Sequence, residues 1–221
     1  NQGNEKCISF ENMDFTPLSI TESTFTDCTA RDYIVDITSV VKDITFESLT
    51  FEFSKTYGCG GIRIKNNNPI SITHTRFIST LNQPALSIES SSGSNPISIL
   101  YCTFDKCQSD PFSCFVLNTE TNSFTFEHNI ISNAHITTQN GFIGQIIYDK
   151  ANPKEELVLN NISFTGNRCS KFFGGGTPLS VKNYKKVTFT KCKFTKNTAE
   201  QNSRIPRPGT GSNPYYNGNG G

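Results

Sequence analysis

The chain has 221 residues, 18% of them charged, and a formal net charge of +1 at pH 7, so no electrostatic signal predicts a nucleic-acid partner. Mean hydropathy is −0.39, and no run approaches the roughly 18 apolar residues of a membrane-spanning helix, which argues against membrane insertion by such a helix. The length suits one sizeable domain, and 18 Phe residues without any Trp supply the bulk of its predicted core.

From Leu18 onward one eight-residue pattern recurs: apolar, Ser or Thr, apolar, four mostly polar residues, then Phe. Residues 70–77, Ile-Ser-Ile-Thr-His-Thr-Arg-Phe, show it most clearly. Seven copies occupy residues 18–25, 44–51, 70–77, 97–104, 124–131, 157–164 and 187–194. Their starts are 26, 26, 27, 27, 33 and 30 residues apart, and a period in the twenties carried by a short strand is typical of a solenoid.

Each copy alternates apolar and hydroxylated residues with the period of two that a half-buried strand needs. A second strand signal follows each copy, as in Val35-Asp-Ile37 and Ile62-Arg-Ile64, and Asn-, Ser- and Pro-rich breakers separate it from the next copy. No segment shows a helical period, and a hairpin meander would need turn signals every ~10 residues. We therefore predict an all-β fold, a right-handed single-stranded parallel β-helix of about seven coils over residues 1–199, with about three short strands in each coil.

Equivalent positions of successive coils are predicted to stack as inward columns, because one coil alone cannot bury its apolar face. The last pattern position supplies a column in which we predict that every Phe is buried: Phe25, Phe51, Phe77, Phe104, Ile131, Phe164 and Phe194. The longer intervals predict turn insertions at residues 133–144 or 149–156, and at 168–177. Residues 200–221, rich in Pro, Gly and Asn, are predicted to form an irregular tail or linker.

Cysteine usage favours an oxidising, extracellular or cell-surface location, because none of the eight Cys residues stands in a paired C-x-x-C arrangement. Four fall outside the repeated positions and are the disulfide candidates, with no readable connectivity: Cys7, Cys59, Cys114 and Cys169. The other four recur at pattern positions and are predicted to fill the core: Cys28, Cys102, Cys107 and Cys192. Residues 1–7 lack an initiator Met and a signal-like stretch, so a mature or excised segment of a longer protein is expected. Asn161-Ile-Ser163 is the predicted N-glycosylation site.

Three short motifs carry a family resemblance. Gly60-Gly61-Ile62, Phe164-Thr-Gly-Asn167 and Phe194-Thr-Lys-Asn197 resemble the Gly-Gly-Ala-Ile and Phe-x-x-Asn repeats of chlamydial polymorphic outer-membrane proteins, which are similar to repeats of large protist surface proteins. Judged from the spacing of the repeats, the resemblance covers most of residues 18–199. It implies a β-helical, surface-exposed adhesive protein without catalytic residues.

The competing hypothesis is a carbohydrate-active enzyme, a polysaccharide lyase or hydrolase, and a glycan-binding module is the third. Arg63-Ile64-Lys65 matches a short motif of polygalacturonases, but their paired aspartates and glycine-flanked histidine are not found in this sequence. Glu47 and Glu127 share a pattern position three coils apart, about 14 Å, which is too far for an acid–base pair. We predict no catalytic residue, no metal ion and no cofactor.

The histidines add no metal site to this prediction. His74 and His128 share a position two coils apart, roughly 10 Å, with Tyr101 between them. That separation is too large for both imidazoles to bind one metal ion. Their column is predicted to be a solvated turn, and it consists of Glu22, Ser48, His74, Tyr101, His128, Asn161 and Lys191.

The two ends of the predicted rod differ in charge. Residues 1–53 carry a net charge of −7, whereas residues 157–199 hold eight bases and no acid. Because open strand edges pair unless they are covered, we predict head-to-tail self-association into filaments, or stacking on further coils of a longer chain. A surface glycan is the alternative partner of the basic end. The predicted assembly residues are Asp14, Glu22 and Asp27 at the acidic end, Lys185, Lys186, Lys191, Lys193 and Lys196 at the basic end, and Tyr215 and Tyr216 in the tail.

Overall fold

The structure, a computed structural model, confirms the predicted parallel β-helix and contains no helix in its described residues. It describes residues 8–10, 16–28, 32–38, 42–52, 60–81, 83–91, 94–109, 113–138, 142–171, 174–175 and 177–201. Several predictions concern residues outside these ranges and stay predictions, namely those for Cys7, Asp14, Cys59, Tyr215 and Tyr216.

The described residues form seven successive coils. The first three coils consist of β1 (Ile8–Phe10), β2 (Leu18–Thr21) and β3 (Thr24–Thr26); β4 (Tyr33–Ile37), β5 (Ile44–Glu47) and β6 (Thr50–Glu52); and β7 (Gly60–Lys65), β8 (Ile70–Thr73) and β9 (Arg76–Ile78). The next two consist of β10 (Leu86–Ser90), β11 (Ile97–Leu100), β12 (Thr103–Asp105) and β13 (Gln108–Ser109); and β14 (Phe115–Thr119), β15 (Phe124–Glu127), β16 (Ile130–Ser132) and β17 (His135–Thr138). The last two consist of β18 (Phe142–Tyr148), β19 (Lys154–Asn160), β20 (Ser163–Thr165), β21 (Arg168–Lys171) and β22 (Gly174–Gly175); and β23 (Thr177–Lys182), β24 (Tyr184–Thr190), β25 (Lys193–Thr195) and β26 (Thr198–Gln201).

Strands at equivalent positions of successive coils pair in parallel, and three seven-stranded sheets run along the solenoid. Sheet 1 has the order β1-β4-β7-β10-β14-β18-β23, sheet 2 the order β2-β5-β8-β11-β15-β19-β24, and sheet 3 the order β3-β6-β9-β12-β16-β20-β25. A fourth sheet begins in the fourth coil and contains β13, β17, β21 and β26, with the short β22 antiparallel to β21. Three strands per coil were predicted, and the additional strands β17 and β21 lie in the two regions where the long intervals predicted insertions.

The strand register confirms the predicted inward columns. Phe51 aligns with Phe77 and Phe77 with Phe104, and these rings stack at centroid distances of 5.2 and 5.0 Å. The prediction that every Phe of this column is buried is wrong at its ends, because Phe25 is half-buried and Phe194 is 49% exposed. These two belong to the first and last coils, where the described chain supplies a stacking neighbour on one side only.

Each coil turns sharply through residues in the left-handed region. Between sheets 2 and 3 these residues are Glu22, Ser48, His74, Tyr101, His128, Asn161 and Lys191, and after sheet 3 they are Asp27, Ser79, Lys106, Asn133, Gly166 and Lys196. Nearly all of them carry a Cβ, although this conformation costs an L-residue about 1–2 kcal/mol. Except for Lys191 and Lys196 in the last coil, the backbone N–H of each turn residue donates a hydrogen bond to the next coil, as from His74 to the carbonyl of Leu100 at 3.1 Å. The predicted solvated turn is confirmed, since its side chains are exposed or half-buried.

Buried or half-buried amide side chains bridge the coils directly after these turns. Asn129 accepts a hydrogen bond from the backbone N–H of Cys102 at 2.8 Å and donates one to the carbonyl of Ile99 at 3.0 Å. Asn167 and Asn197 bridge coils in the same way after the second turn. The Phe-x-x-Asn motif therefore stabilises the stacking of one coil on the next.

Two glycines allow the backbone to approach the core rings. A Cβ at Gly61 would lie 2.7 Å from the ring of Phe77, and one at Gly144 would lie 2.1 Å from the ring of Phe115. Both distances are shorter than any ordinary carbon–carbon contact. The Gly-Gly-Ile motif thus makes room for a core phenylalanine.

Candidate interaction site at the ends of the solenoid

The last coil ends in an exposed apolar surface. Phe189 on β24 and Phe194 on β25 are each 49% exposed, and their ring centroids lie 5.7 Å apart in an edge-to-face arrangement. One coil earlier the equivalent side chains, Leu159 and Phe164, are buried because the last coil covers them. We refer to Val187, Phe189, Lys191, Lys193, Phe194 and Lys196 as the C-terminal end face.

Three lysines surround the apolar part of this face. Lys191 and Lys196 occupy the two turn positions of the last coil, with φ angles of 53° and 55°, and Lys193 lies between them on β25. All three side chains are exposed, and the described part of the chain gives none of them an ion-pair partner. A cluster of uncompensated cations produces a positive potential that attracts an acidic partner.

Lys185 and Lys186 contribute less to this potential than the sequence indicated. Lys186 Nζ lies 2.8 Å from Glu156 Oε1, and Lys185 Nζ is paired with Glu155. Hydrogen bonds from Lys186 and then from Thr188 hold the pKa of Glu156 below its usual value. Both acids lie on β19 of the preceding coil, so these two lysines are partly neutralised within the chain.

The first coil forms the opposite end, which is acidic. Leu18 is buried, and Ile20 and Phe25 are half-buried. Glu22 and Asp27 are exposed at the two turn positions of this coil, with φ angles of 48° and 51°, and neither has an ion-pair partner among the described residues. We refer to these five residues as the N-terminal end face.

An exposed stack of rings lies midway along the turn between sheets 2 and 3. The ring of Tyr101 stacks on those of His74 and His128, with centroid distances of 5.0 and 4.6 Å. Asn161 continues the row, with its Nδ2 atom 2.7 Å from Nδ1 of His128. Both faces of Tyr101 are covered, so this row does not offer the flat aromatic surface on which a sugar ring would stack. No group of three or more His, Cys, Asp or Glu in the described ranges is placed to hold a metal ion.

A polar groove of about 530 Å³ crosses the turns between sheets 1 and 2. Its walls include Glu89, Asn118, Glu120 and Asp149 from successive coils. Lys65 Nζ lies 2.9 Å from Glu89 Oε2, and the buried Oδ1 atom of Asn118 has no hydrogen-bond partner in the described part of the structure. The groove is therefore suited to hydrogen bonding with a polar ligand.

The tripeptide that matches polygalacturonases forms contacts within this chain. Arg63 binds both carboxylate oxygens of the buried Asp36 at 2.8 and 2.7 Å, and the guanidinium lies 5.1 Å above the ring of Tyr33. The bond to Asp36 raises the pKa of Arg63, and burial raises the pKa of Tyr33 to about 12. Glu47 and Glu127 align in one column three coils apart, as predicted.

The cysteines of the described coils are thiols. Cys114 precedes β14 and Cys169 lies on β21, and these two disulfide candidates are not bonded to each other. Burial, and secondly a hydrogen bond with the thiol of Cys107, raises the pKa of Cys114 well above its usual range. Cys102 and Cys107 are buried, which confirms them as core residues, and burial raises the pKa of Cys102 to about 12.

Asn161 is exposed at a turn with a φ angle of 54°, and its glycosylation stays a prediction.

The chain matches no protein-family model, no curated protein and no solved structure. The resemblance to polymorphic outer-membrane proteins therefore stays a prediction as well. No helix that could span a membrane occurs within the ranges that the structure describes.

Proposed function

We propose that this protein is a non-enzymatic structural and adhesive component of an extracellular surface that associates end to end. The observation that carries this proposal is the pair of unlike end faces. The C-terminal end face combines two exposed Phe rings with three lysines, and the N-terminal end face presents Glu22 and Asp27. Opposite charges steer the basic end of one copy towards the acidic end of the next.

End-to-end contact of this kind produces a filament. It joins two different surfaces of the same molecule, so it does not close into a dimer, and each added copy presents a new end. Among the described strands, β2 and β3 at one end and β24 and β25 at the other have a neighbour on one side only, so their outer edges supply backbone groups for strand pairing. An extracellular location is supported by the exposed glycosylation acceptor pattern at Asn161.

Sedimentation velocity and negative-stain imaging of the full chain test this proposal. At low ionic strength and high protein concentration we expect rod-shaped assemblies, which shorten or dissociate as salt screens the end charges. Deletion of residues 201–221 is expected to shorten them further, because the sequence predicts that this segment tethers neighbouring copies. A protein that sediments only as a monomer under these conditions would contradict end-to-end association.

A glycan-binding module is the second candidate function, and the polar groove supports it. The carboxylate of Glu120 in its wall is suited to accept hydrogen bonds from sugar hydroxyls. Calorimetric titration with neutral and acidic oligosaccharides tests this, with Glu120→Gln as the variant expected to weaken binding. Release of reducing ends from pectin or glycosaminoglycans, abolished by one Asp or Glu substitution, would instead favour a carbohydrate-active enzyme.

A further inference from the structure

We infer that copies of this chain stack in one defined register, in which the first coil of one copy takes the place of an eighth coil on another. This inference rests on the proposed end-to-end association and adds which residues meet at the junction. The pairs it specifies are Val187 with Leu18, Phe189 with Ile20, Lys191 with Glu22, Phe194 with Phe25, and Lys196 with Asp27.

The apolar contacts follow from the strand register inside the chain. Phe164 pairs with Phe194 at the last step, with ring centroids 5.2 Å apart and nearly parallel planes. Phe25 pairs with Phe51 at the first step, at 4.7 Å and with planes just as parallel. A contact between Phe194 and Phe25 of the following copy therefore continues one stack with unchanged spacing, and it covers a ring that is 49% exposed.

The charge pairs follow from the two turn columns. Lys191 and Glu22 occupy the same turn position in the last and first coils, and Lys196 and Asp27 share the other one. Side chains at neighbouring positions of such a column are in contact within the chain. The ring of Tyr101, for example, stacks on that of His74 with a centroid distance of 5.0 Å. An additional coil in register therefore brings each of these exposed lysines against an exposed carboxylate.

The backbone supplies the same register independently. The turn residue of each coil donates its N–H to the next coil, as Asn161 does to the carbonyl of Thr190 at 2.8 Å, and Gly166 to that of Thr195 at 2.9 Å. If this pattern continues by one step, the backbone N–H of Lys191 donates to the carbonyl of Thr21 of the following copy. The backbone N–H of Lys196 likewise donates to the carbonyl of Thr26 of that copy. These bonds, the apolar contacts and the charge pairs all require one relative position of the two copies.

The register also has a polarity. Two N-terminal end faces would bring Glu22 and Asp27 against their own copies, and two C-terminal end faces would do the same for lysines. Like charges held close together are unfavourable, so both symmetric contacts are disfavoured. The filament is therefore expected to have one basic and one acidic tip.

Charge reversal on the full-length protein tests the register. The double variants K191E/K196E and E22K/D27K each put like charges into both pairs, and we expect each alone to self-associate about 10- to 30-fold more weakly. Mixed in equal amounts, the two variants are expected to assemble again, because every junction between unlike variants pairs opposite charges. The control K106E/K150E makes the same change in net charge as K191E/K196E, but on middle coils, and should assemble like the original protein.

The outcomes separate the register from the proposed function. If the original protein assembles and K191E/K196E assembles equally well, end-to-end association stands and this register is overturned. If the mixture stays monomeric while both variants retain the circular-dichroism spectrum and melting temperature of the original, the pairs are also wrong. If the original protein does not assemble at all, the proposed function fails and the register fails with it.

Discussion

Phe164 and Phe194 occupy the same pattern position in neighbouring coils and stack on each other, yet one is 1% exposed and the other 49%. Their local sequences are nearly identical, Ser-Phe-Thr and Lys-Phe-Thr, and both lie in the third strand of their coil. The difference is the coil that follows Phe164 and covers it. In a solenoid, burial and stability are thus properties of a coil's neighbours as much as of its own residues.

The largest expected effect on stability is the difference between removing a Phe ring from a middle coil and removing one from the last coil. Phe77→Ala removes a fully buried ring between two stacked neighbours, which should lower the free energy of unfolding by about 3–5 kcal/mol. Phe194→Ala removes a half-exposed ring and should cost about 1 kcal/mol in the monomer. Urea denaturation followed by circular dichroism at high salt measures both, and equal losses would contradict the contrast.

Ion pairs should show the same contrast. Arg63→Ala leaves the buried carboxylate of Asp36 without its bidentate partner, and we expect a loss of about 3 kcal/mol. Lys185→Ala removes an exposed pair with Glu155 and should cost at most about 0.5 kcal/mol. The same denaturation experiment compares the two variants, and a loss below about 1 kcal/mol for Arg63→Ala would show that the pair does not stabilise the fold.

The bridging amides give a smaller contrast. Asn129→Ala removes the hydrogen-bond partner of the N–H of Cys102 and of the carbonyl of Ile99 in the core. We expect the free energy of unfolding to fall by about 2 kcal/mol. Asn197→Ala at the half-buried end of the solenoid should cost about 1 kcal/mol, because water replaces part of its bonding. Hydrogen exchange at Cys102 provides a local check, and unchanged protection in Asn129→Ala would contradict the bridging role.

Alkaline pH should destabilise the fold through the buried Tyr33. The pKa of Tyr33 is raised from 10.0 to about 12 by burial, so the folded state disfavours its ionised form more than the unfolded state does. Its contribution to stability is complete below about pH 10 and is lost as the pH rises through about 12. Melting temperatures across this range should fall less steeply for Tyr33→Phe than for the original protein, while Tyr184, whose pKa is also about 12, keeps its own part of the decline. Parallel curves would exclude Tyr33 as a cause.

The architecture was predictable because it depends on relations that repeat along the chain. The spacing of Phe51, Phe77 and Phe104 defines the length of a coil, and the alternation around each of them defines which side chains point inward. The column from Glu22 to Lys191 was recognised as a turn for the same reason, since its members share one position of the pattern. Asn129 was missed as a bridge because its signal, Phe126-Glu-His-Asn129, lies in a different frame from the later Phe-x-x-Asn motifs.

The period, the sheets and the inward columns of this protein could thus be predicted from local patterns, because every coil repeats them. The differences between equivalent residues appear only once the coils are stacked: Phe194 is exposed while Phe164 is buried, and Lys185 is paired while Lys191 has no ion-pair partner among the described residues. The tertiary structure also brought the thiol of Cys107 against that of Cys114. These outcomes depend on which side chain of a neighbouring coil lies opposite, and the pattern within a single coil does not contain that information.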